Sequence, residues 1–222
     1  MGGNHPQAAG HSDRGSDEEL DLWRHGVESG ESALGAAAFK ELTGSFWGFL
    51  ETRPYMRARF GLARALWLRG VRDEAIEHLR DMLRLNPGDN QGVRYVLAAY
   101  LVEAGRDGDL PKLLKKFKGD TMAAWTWTSA LAAFRRTGDN EENRKLLAQA
   151  VAGNEHIPAY LTGEKSPPKT LPPFISPGDV DEAIHYVHEF REGWIHTPGA
   201  IDWLRSFRFA PKVAKKPRRR LQ

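Results

Sequence analysis

Apolar and polar residues follow their clearest periodic pattern across residues 56–89. Within this stretch the apolar residues recur every three or four positions, in two runs. The first run comprises Met56, Phe60, Ala63, Leu66 and Trp67, and the second comprises Ala75, Ile76, Leu79, Met82, Leu83 and Leu85. Such spacing places the apolar side chains on one face of an α-helix. Because Gly70 separates the runs and Pro87 follows the second, the pattern predicts two helices joined by a tight turn.

This helical pair resembles a tetratricopeptide repeat in four features. They are the small-residue pair Leu62-Ala63, the turn residue Gly70, the small residue Ala75 at the expected helix crossing, and the terminal Pro87. A single pair of this type cannot bury its own apolar faces, so neighbouring pairs must stack on it. The resemblance therefore implies that the same chain contains further pairs.

Two later glycines, Gly105 and Gly138, continue the series that Gly70 begins. The three glycines stand 35 and 33 positions apart, close to the period of about 34 residues of this repeat type. The predicted repeats cover about 56–89, 90–121 and 122–155. By resemblance, the fold is an all-α solenoid of tetratricopeptide-like helical hairpins, a right-handed α-α superhelix.

Further helices are predicted on both sides of these repeats. One apolar face favours a helix over residues 31–50 that packs on the first repeat. Five prolines between residues 165 and 177 exclude a helix there and predict an extended segment. Helix-start signals at Ser176 and at Thr197-Pro198 then predict two capping helices within 177–207.

The two ends of the chain differ in composition from the middle. Residues 1–30 are rich in Gly, Ser, His and acidic residues, which predicts a disordered segment. Six basic residues follow position 210: Lys212, Lys215, Lys216, Arg218, Arg219 and Arg220. Without these six, 26 of the 32 Lys and Arg remain against 29 Asp and Glu, so the basic character is local. The sequence predicts one helical repeat domain over 31–207, followed by a basic disordered tail over 208–222.

The composition also bears on the cellular compartment. The chain contains no cysteine, which excludes disulfides, thiolate zinc sites and thiol nucleophiles, and fits a reducing compartment. No charged-then-apolar leader precedes residue 30, and the longest apolar run, residues 95–102, is too short to span a membrane. The sequence predicts a cytoplasmic protein without membrane segments.

A second resemblance covers about residues 53–205. It rests on His156-Ile157-Pro158-Ala159-Tyr160-Leu161, Leu171-Pro172-Pro173, Gly178-Asp179, Glu182-Ala183-Ile184, Tyr186, Trp194, Gly199-Ala200 and Leu204. This pattern resembles the C-terminal region of the suppression of tumorigenicity seven (ST seven) family. The resemblance implies a helical, repeat-like fold without an established enzymatic activity. Eukaryotic members carry membrane segments, and no such segment is predicted here.

One group of residues has the chemistry of a metal site: Glu182, His185, His188, Glu189 and His196. Glu182 and His185 have the i, i+3 spacing of carboxylate-bridged metal bundles, but such sites need a matching set on other helices. The sequence offers no second set, so the favoured interpretation is a solvated face of a capping helix. No phosphate-binding loop, nucleophile elbow or His-Glu-x-x-His motif occurs either. We therefore predict no metal, no cofactor and no catalytic residue.

Arginine and aromatic residues share one stripe of the first repeat helix. Arg53, Arg57, Phe60, Arg64 and Trp67 follow at spacings of 4, 3, 4 and 3 residues. By resemblance to tetratricopeptide repeats, this stripe lines a concave groove formed by Arg57, Phe60, Arg64 and Trp67, with Arg94 and Arg135 near equivalent places. Arginine beside exposed aromatic residues is typical of binding hot spots. The alternative is a solvated arginine face with Phe60 and Trp67 in the core, and the sequence leaves both open.

The predicted function is a non-enzymatic protein–protein interaction scaffold that binds a peptide or partner protein in this groove. Because guanidinium groups pair with carboxylates, an acidic peptide or a peptide with a C-terminal carboxylate is the expected partner, and no small-molecule substrate is expected. One alternative is a metal-dependent enzyme that uses the His185/His188 helix. Another is nucleic-acid binding through the basic tail, which is disfavoured because no base-reading fold or interleaved aromatic residue accompanies it.

Overall fold

The computed structural model describes residues 16–207, and these residues form helices and no strands. The α-helices are α1 Asp17–Glu41, α2 Arg53–Leu68, α3 Arg72–Leu85, α4 Val93–Glu103, α5 Leu110–Lys116, α6 Ala123–Thr137, α7 Glu141–Gly153, α8 Ile157–Leu161, α9 Val180–Ile195 and α10 Ala200–Ser206. A short 3₁₀ helix covers Phe46–Gly48. The all-helical class predicted from the sequence is confirmed for the described residues.

The chain divides after Lys118 into two compact units, whereas the sequence predicted one domain over 31–207. We call them the N-terminal and the C-terminal unit. The predicted segments over residues 1–15 and 208–222, including the basic tail, lie outside the described residues. None of the helices within residues 16–207 is long and apolar enough to cross a membrane.

The N-terminal unit is built around α2. This helix packs on α1 and α3, α3 packs on α4, and α4 packs on α5. The pair α2 and α3 corresponds to the predicted helix–turn–helix over 56–89, and Ala75 is completely buried. The unit's core includes Tyr55, Met56, Leu62, Leu66, Ile76, Leu79, Met82, Leu85, Leu97 and Leu101.

Helix α1 begins at Asp17, so the predicted disorder of residues 1–30 is wrong from that residue onward. The side chain of Ser16 caps the helix by accepting a hydrogen bond from the Glu19 amide at 3.1 Å. Only Leu20 and Val27 of α1 are buried. The scarcity of apolar residues that suggested disorder is offset by close packing of α1 on α2.

Glycines make this close approach possible. A Cβ atom on Gly26 would lie 3.2 Å from the Cβ of Ala58, and one on Gly61 would lie 2.5 Å from the Trp23 ring. The contact at Gly61 is shorter than a real Cβ atom makes, and the contact at Gly26 is tighter than most, so α1 and α2 approach each other closely where glycines lie at the interface.

The helix predicted over residues 31–50 ends earlier, at Glu41. Gly35 already interrupts its geometry, with φ 67° and ψ 166°, a conformation that glycine adopts without the steric penalty of a side chain. The Gly44 amide then donates a hydrogen bond to the Leu85 carbonyl at 2.9 Å. The chain therefore leaves the helix before Gly44-Ser45 and forms the 3₁₀ helix instead of another two turns of α1.

The C-terminal unit pairs α6 with α7, while α9 packs on α6, α8 and α10. Its core is aromatic, with Trp127, Tyr186, Phe190, Trp194 and Trp203 all buried. The Trp194 indole donates to the Tyr186 hydroxyl at 2.8 Å. The proline-rich segment over 165–177 contains no helix, as predicted, and α9 and α10 occupy the region predicted to hold two capping helices.

Candidate functional site

Helix α2 carries the stripe of residues that the sequence singles out. The helix starts with Pro54 in its first turn and buries Tyr55, Ala58, Leu62 and other residues toward its neighbours. Positions on the remaining side stay accessible: Arg57 and Arg64 are exposed, and Arg53, Phe60 and Trp67 are partly exposed. These five residues lie within one narrow arc of the helix, because their spacings follow its 3.6-residue turn.

Trp47, from the 3₁₀ helix before α2, lies against two of these arginines. The guanidinium carbon of Arg53 is 5.4 Å from the centre of the Trp47 ring, and that of Arg57 is 5.8 Å from it. The Arg53 Nε also donates to the Trp47 carbonyl at 3.0 Å. Two cations therefore share one aromatic ring. Each exposed cation–π contact of this kind contributes about 0.5–1 kcal/mol of attraction. Sequence reasoning missed Trp47, since a tryptophan outside the helix has no periodic relation to the stripe.

The arginines of this stripe differ from the other arginines of residues 16–118 in their ion pairs. Each of those others has a carboxylate oxygen within 4.0 Å: Arg24, Arg59, Arg69, Arg72, Arg80, Arg84, Arg94 and Arg106. Within the described residues, Arg53, Arg57 and Arg64 have no such partner. Within residues 16–118, the guanidinium groups that have no carboxylate within 4.0 Å are thus gathered on one side of one helix.

Trp67, at the other end of the stripe, packs inside the unit. Its ring stacks on Tyr100 of α4 with 3.8 Å between centroids and 7° between planes. The guanidinium of Arg72 lies 5.0 Å from the centre of the Trp67 ring. Trp67 therefore joins α2 to α4 and leaves only part of its surface to a partner.

Arg94 is held by interactions within its own unit. Its guanidinium donates to the buried carboxylate of Asp89 at 2.8 Å and to the Tyr95 hydroxyl at 2.6 Å. Asp89 also accepts from the amides of Val93 and Arg94, which caps the start of α4. Arg94 thus helps to anchor this cap.

Arg135 belongs to the C-terminal unit, so the six predicted groove residues are divided between the two units. Its Nε donates to the Thr197 hydroxyl at 2.8 Å, and one terminal nitrogen donates to the Gly193 carbonyl at 3.0 Å. These bonds tie α6 to the end of α9. The groove remains a prediction, and the residues that share a surface in the N-terminal unit are Arg57, Phe60, Arg64 and part of Trp67.

In α9, the helix that carries His185 and His188, the acidic residue Glu182 accepts hydrogen bonds that stabilise the fold. Glu182 is buried, so the predicted solvated face is wrong for this residue. Its carboxylate accepts from the Ala123 amide at 2.8 Å, the Gly178 amide at 2.7 Å and the Asn154 side chain at 2.9 Å. His185 contacts the Pro172 carbonyl, and the described residues contain no group of three side chains placed to hold a metal ion.

A second polar cluster, which sequence reasoning did not identify, joins α1, α2 and α3. The Tyr55 hydroxyl donates to Glu31 at 3.3 Å and accepts from Arg59, which also pairs with Asp81. The Arg59 Nε donates to His78 Nδ1 at 3.1 Å. Burial raises the pKa of Tyr55 to about 12, so the phenol stays protonated. The cluster fastens three helices together.

His78 is expected to make the stability of the protein depend on pH. Burial lowers the pKa of His78, and Arg59 lowers it further, while Glu74, Asp81 and Glu31 partly oppose the shift. Since the folded pKa lies below the unfolded value of about 6.5, the unfolded state binds more protons in acid. The stabilising effect of neutral His78 is thus complete above that value and declines as the pH falls toward the folded pKa.

Urea unfolding at pH 7.5 and pH 5.5 checks this expectation. The wild type should lose more unfolding free energy between these pH values than His78→Gln, whose amide oxygen can still accept from Arg59 but does not titrate. Equal losses in the two proteins would show that His78 has no part in the acid response.

Comparisons of the chain with protein-family models, with curated proteins and with solved structures find no match. The resemblances to tetratricopeptide repeats and to the ST seven family therefore stay predictions.

Proposed function

We propose that the protein is a non-enzymatic interaction scaffold that binds an acidic partner on the α2 surface formed by Trp47, Arg53, Arg57, Phe60 and Arg64. The observation that carries the proposal is the set of unpaired arginines on one stripe of α2. The other arginines of residues 16–118 have a carboxylate partner within the protein, so these three guanidinium groups are left for the carboxylates of a binding partner. Arginine and tryptophan are also the residues most enriched in binding hot spots.

The helical hairpins support a finer proposal for the architecture, namely a solenoid of tetratricopeptide-like helical hairpins. In the N-terminal unit α2 packs on α3, and in the C-terminal unit α6 packs on α7. The spacing of the turn glycines is also close to the period of tetratricopeptide repeats. We place the scaffold in the cytoplasm, because a chain without cysteine fits a reducing compartment.

The two alternatives receive less support. A metal-dependent enzyme would need the carboxylate of Glu182, which is engaged by three donors. Metal analysis of the purified protein tests this alternative directly. Nucleic-acid binding through residues 208–222 would be recognised by a steep loss of affinity as salt is raised.

Charge reversal tests the proposed surface. The double variant Arg57→Glu and Arg64→Glu should lose capture of the main partner from native lysate, because it replaces attraction by repulsion at the centre of the stripe. Its circular dichroism spectrum should match the wild type, since both side chains are exposed and unpaired.

The matched control reverses two exposed arginines elsewhere, Arg24→Glu with Arg136→Glu, and changes the net charge by the same amount. This control should retain capture. If the α2 variant retains the partner, or if both double variants lose it equally, the α2 surface is not the binding site.

A further inference from the structure

We propose that the partner segment is an acidic amphipathic α-helix. Three of its carboxylates would meet Arg53, Arg57 and Arg64, and an apolar side chain would pack on Phe49 and Leu50. This inference rests on the proposed function and specifies the conformation of the partner on the same surface.

The spacing of the three arginines distinguishes a helical partner from an extended one. With a rise of about 1.5 Å per residue, Arg57 lies about 6 Å and Arg64 about 16.5 Å beyond Arg53 along the α2 axis. A partner helix repeats these intervals with acidic residues at i, i+4 and i+11 on one face. The same intervals read in the opposite chain direction give i, i+7 and i+11.

An extended segment fits the same intervals less well. It advances about 3.3 Å per residue and alternates its side chains between two faces. The second carboxylate would then come from i+2, but the third would come from i+5, which points away from α2. The nearest residues on the correct face, i+4 and i+6, miss Arg64 by about 3 Å.

The charge distribution favours carboxylates over neutral partners. Arg53 and Arg57 lie over the same ring of Trp47, four positions apart on one helix. Like charges at this spacing destabilise a helix by a few tenths of a kcal/mol, and no carboxylate of the described residues lies within 4.0 Å of either guanidinium group. A partner carboxylate between the two guanidinium groups would relieve the repulsion and pair with either group bidentately.

Two exposed apolar residues precede Arg53, the first residue of α2, in the chain. Phe49 is 41% exposed and Leu50 is 68% exposed, next to the partly exposed Trp47. In the proposed complex, the partner's apolar residue lies one helical turn from the carboxylate at Arg53, on the side away from Arg57, and packs on Phe49 and Leu50. The proposed partner helix therefore carries its acidic residues and its apolar anchor on one face.

Labelled peptides of about 20 residues test the inference, since shorter helices are marginal in water. Two peptides, called the helix-register peptides, carry the glutamates at helical spacing in a background of alanine and glutamine. The first has glutamate at i, i+4 and i+11 and leucine at i−3. The second has the same residues in the reversed order. The extended-register peptide has the same composition with glutamate at i, i+2 and i+6. Fluorescence anisotropy measures affinity, and circular dichroism measures helix formation on binding.

One helix-register peptide should bind at least about tenfold tighter than the extended-register peptide and gain helicity when bound, because it alone satisfies all three arginines at once. Leu50→Ser should weaken this binding. Leu22→Ser, at a leucine of α1 that is similarly exposed (66%), should leave it unchanged.

The outcomes separate this inference from the proposed function. If the extended-register peptide binds as tightly, and Arg57→Glu with Arg64→Glu abolishes its binding, the acidic-partner surface stands and the helical partner is wrong. If the double variant binds either peptide as well as the wild type does, or if no peptide binds, the acidic-partner surface itself is overturned.

Discussion

Replacing Glu182 with alanine is expected to lower the free energy of unfolding by about 2–4 kcal/mol, because it leaves buried donors unsatisfied at about 1–3 kcal/mol each but also removes the desolvation cost of a buried charge. The variant removes the acceptor of two amides and one side-chain amide in a buried place. Ala123, the first residue of α6, would suffer most, since the helix has no side-chain cap from its own N-cap residue, Met122. Urea unfolding followed by circular dichroism measures the change.

Two further variants sharpen this test. Glu182→Gln keeps the side-chain volume but turns an NH₂ group toward one of the donors, so it should lower the free energy of unfolding by at least about 1 kcal/mol. Glu142→Ala removes an exposed glutamate of α7 and should change stability by less than about 0.5 kcal/mol. If Glu182→Ala were as mild as this control, the three hydrogen bonds would contribute nothing to stability.

Replacing Gly61 with alanine is expected to destabilise the protein by about 1–3 kcal/mol, the usual cost of overpacking a well-packed contact. Helix propensity alone predicts the opposite sign, since alanine is favoured over glycine inside a helix by about 1 kcal/mol. The contact decides the sign, because the added Cβ would lie 2.5 Å from the Trp23 ring and would displace either that ring or α1 itself. Thermal and urea unfolding both report the change.

The matched control for Gly61 is Gly108→Ala, where an added Cβ meets no atom within 4 Å. Combining Gly61→Ala with Trp23→Ala should recover part of the loss, since contacting residues show coupled effects. A Gly61→Ala protein more stable than the wild type would contradict the close packing of α1 on α2.

The periodic pattern predicted the central hairpin well. The sequence placed two helices within residues 56–89 around Gly70, and α2 and α3 lie on either side of that glycine. Each of these helices buries an apolar face of its own, so the pattern alone was sufficient. Helix α1 lacks such a face, and glycines that favour disorder in a sequence serve here as contact points for another helix.

The candidate site was predictable only in part. Arg57, Phe60 and Arg64 share a stripe because helix geometry alone puts them there. Arg94 is engaged by Asp89 five positions earlier, in the cap at the start of α4. Arg135 is engaged by Thr197, 62 positions away, through a tertiary contact. Equivalence between repeats cannot reveal such partners. Glu182 was misjudged for the same reason, since its donors come from three separate segments.

The hydrogen bond between Glu182 and Ala123 has a consequence for the order of folding. Its partners are 59 positions apart, so the chain between them must close a long loop before the bond forms, which costs entropy and time. The pair α6 and α7 is joined by a short turn and can associate first. The start of α6 would then remain frayed until α9 docks, which makes docking of α9 the step that completes the C-terminal unit.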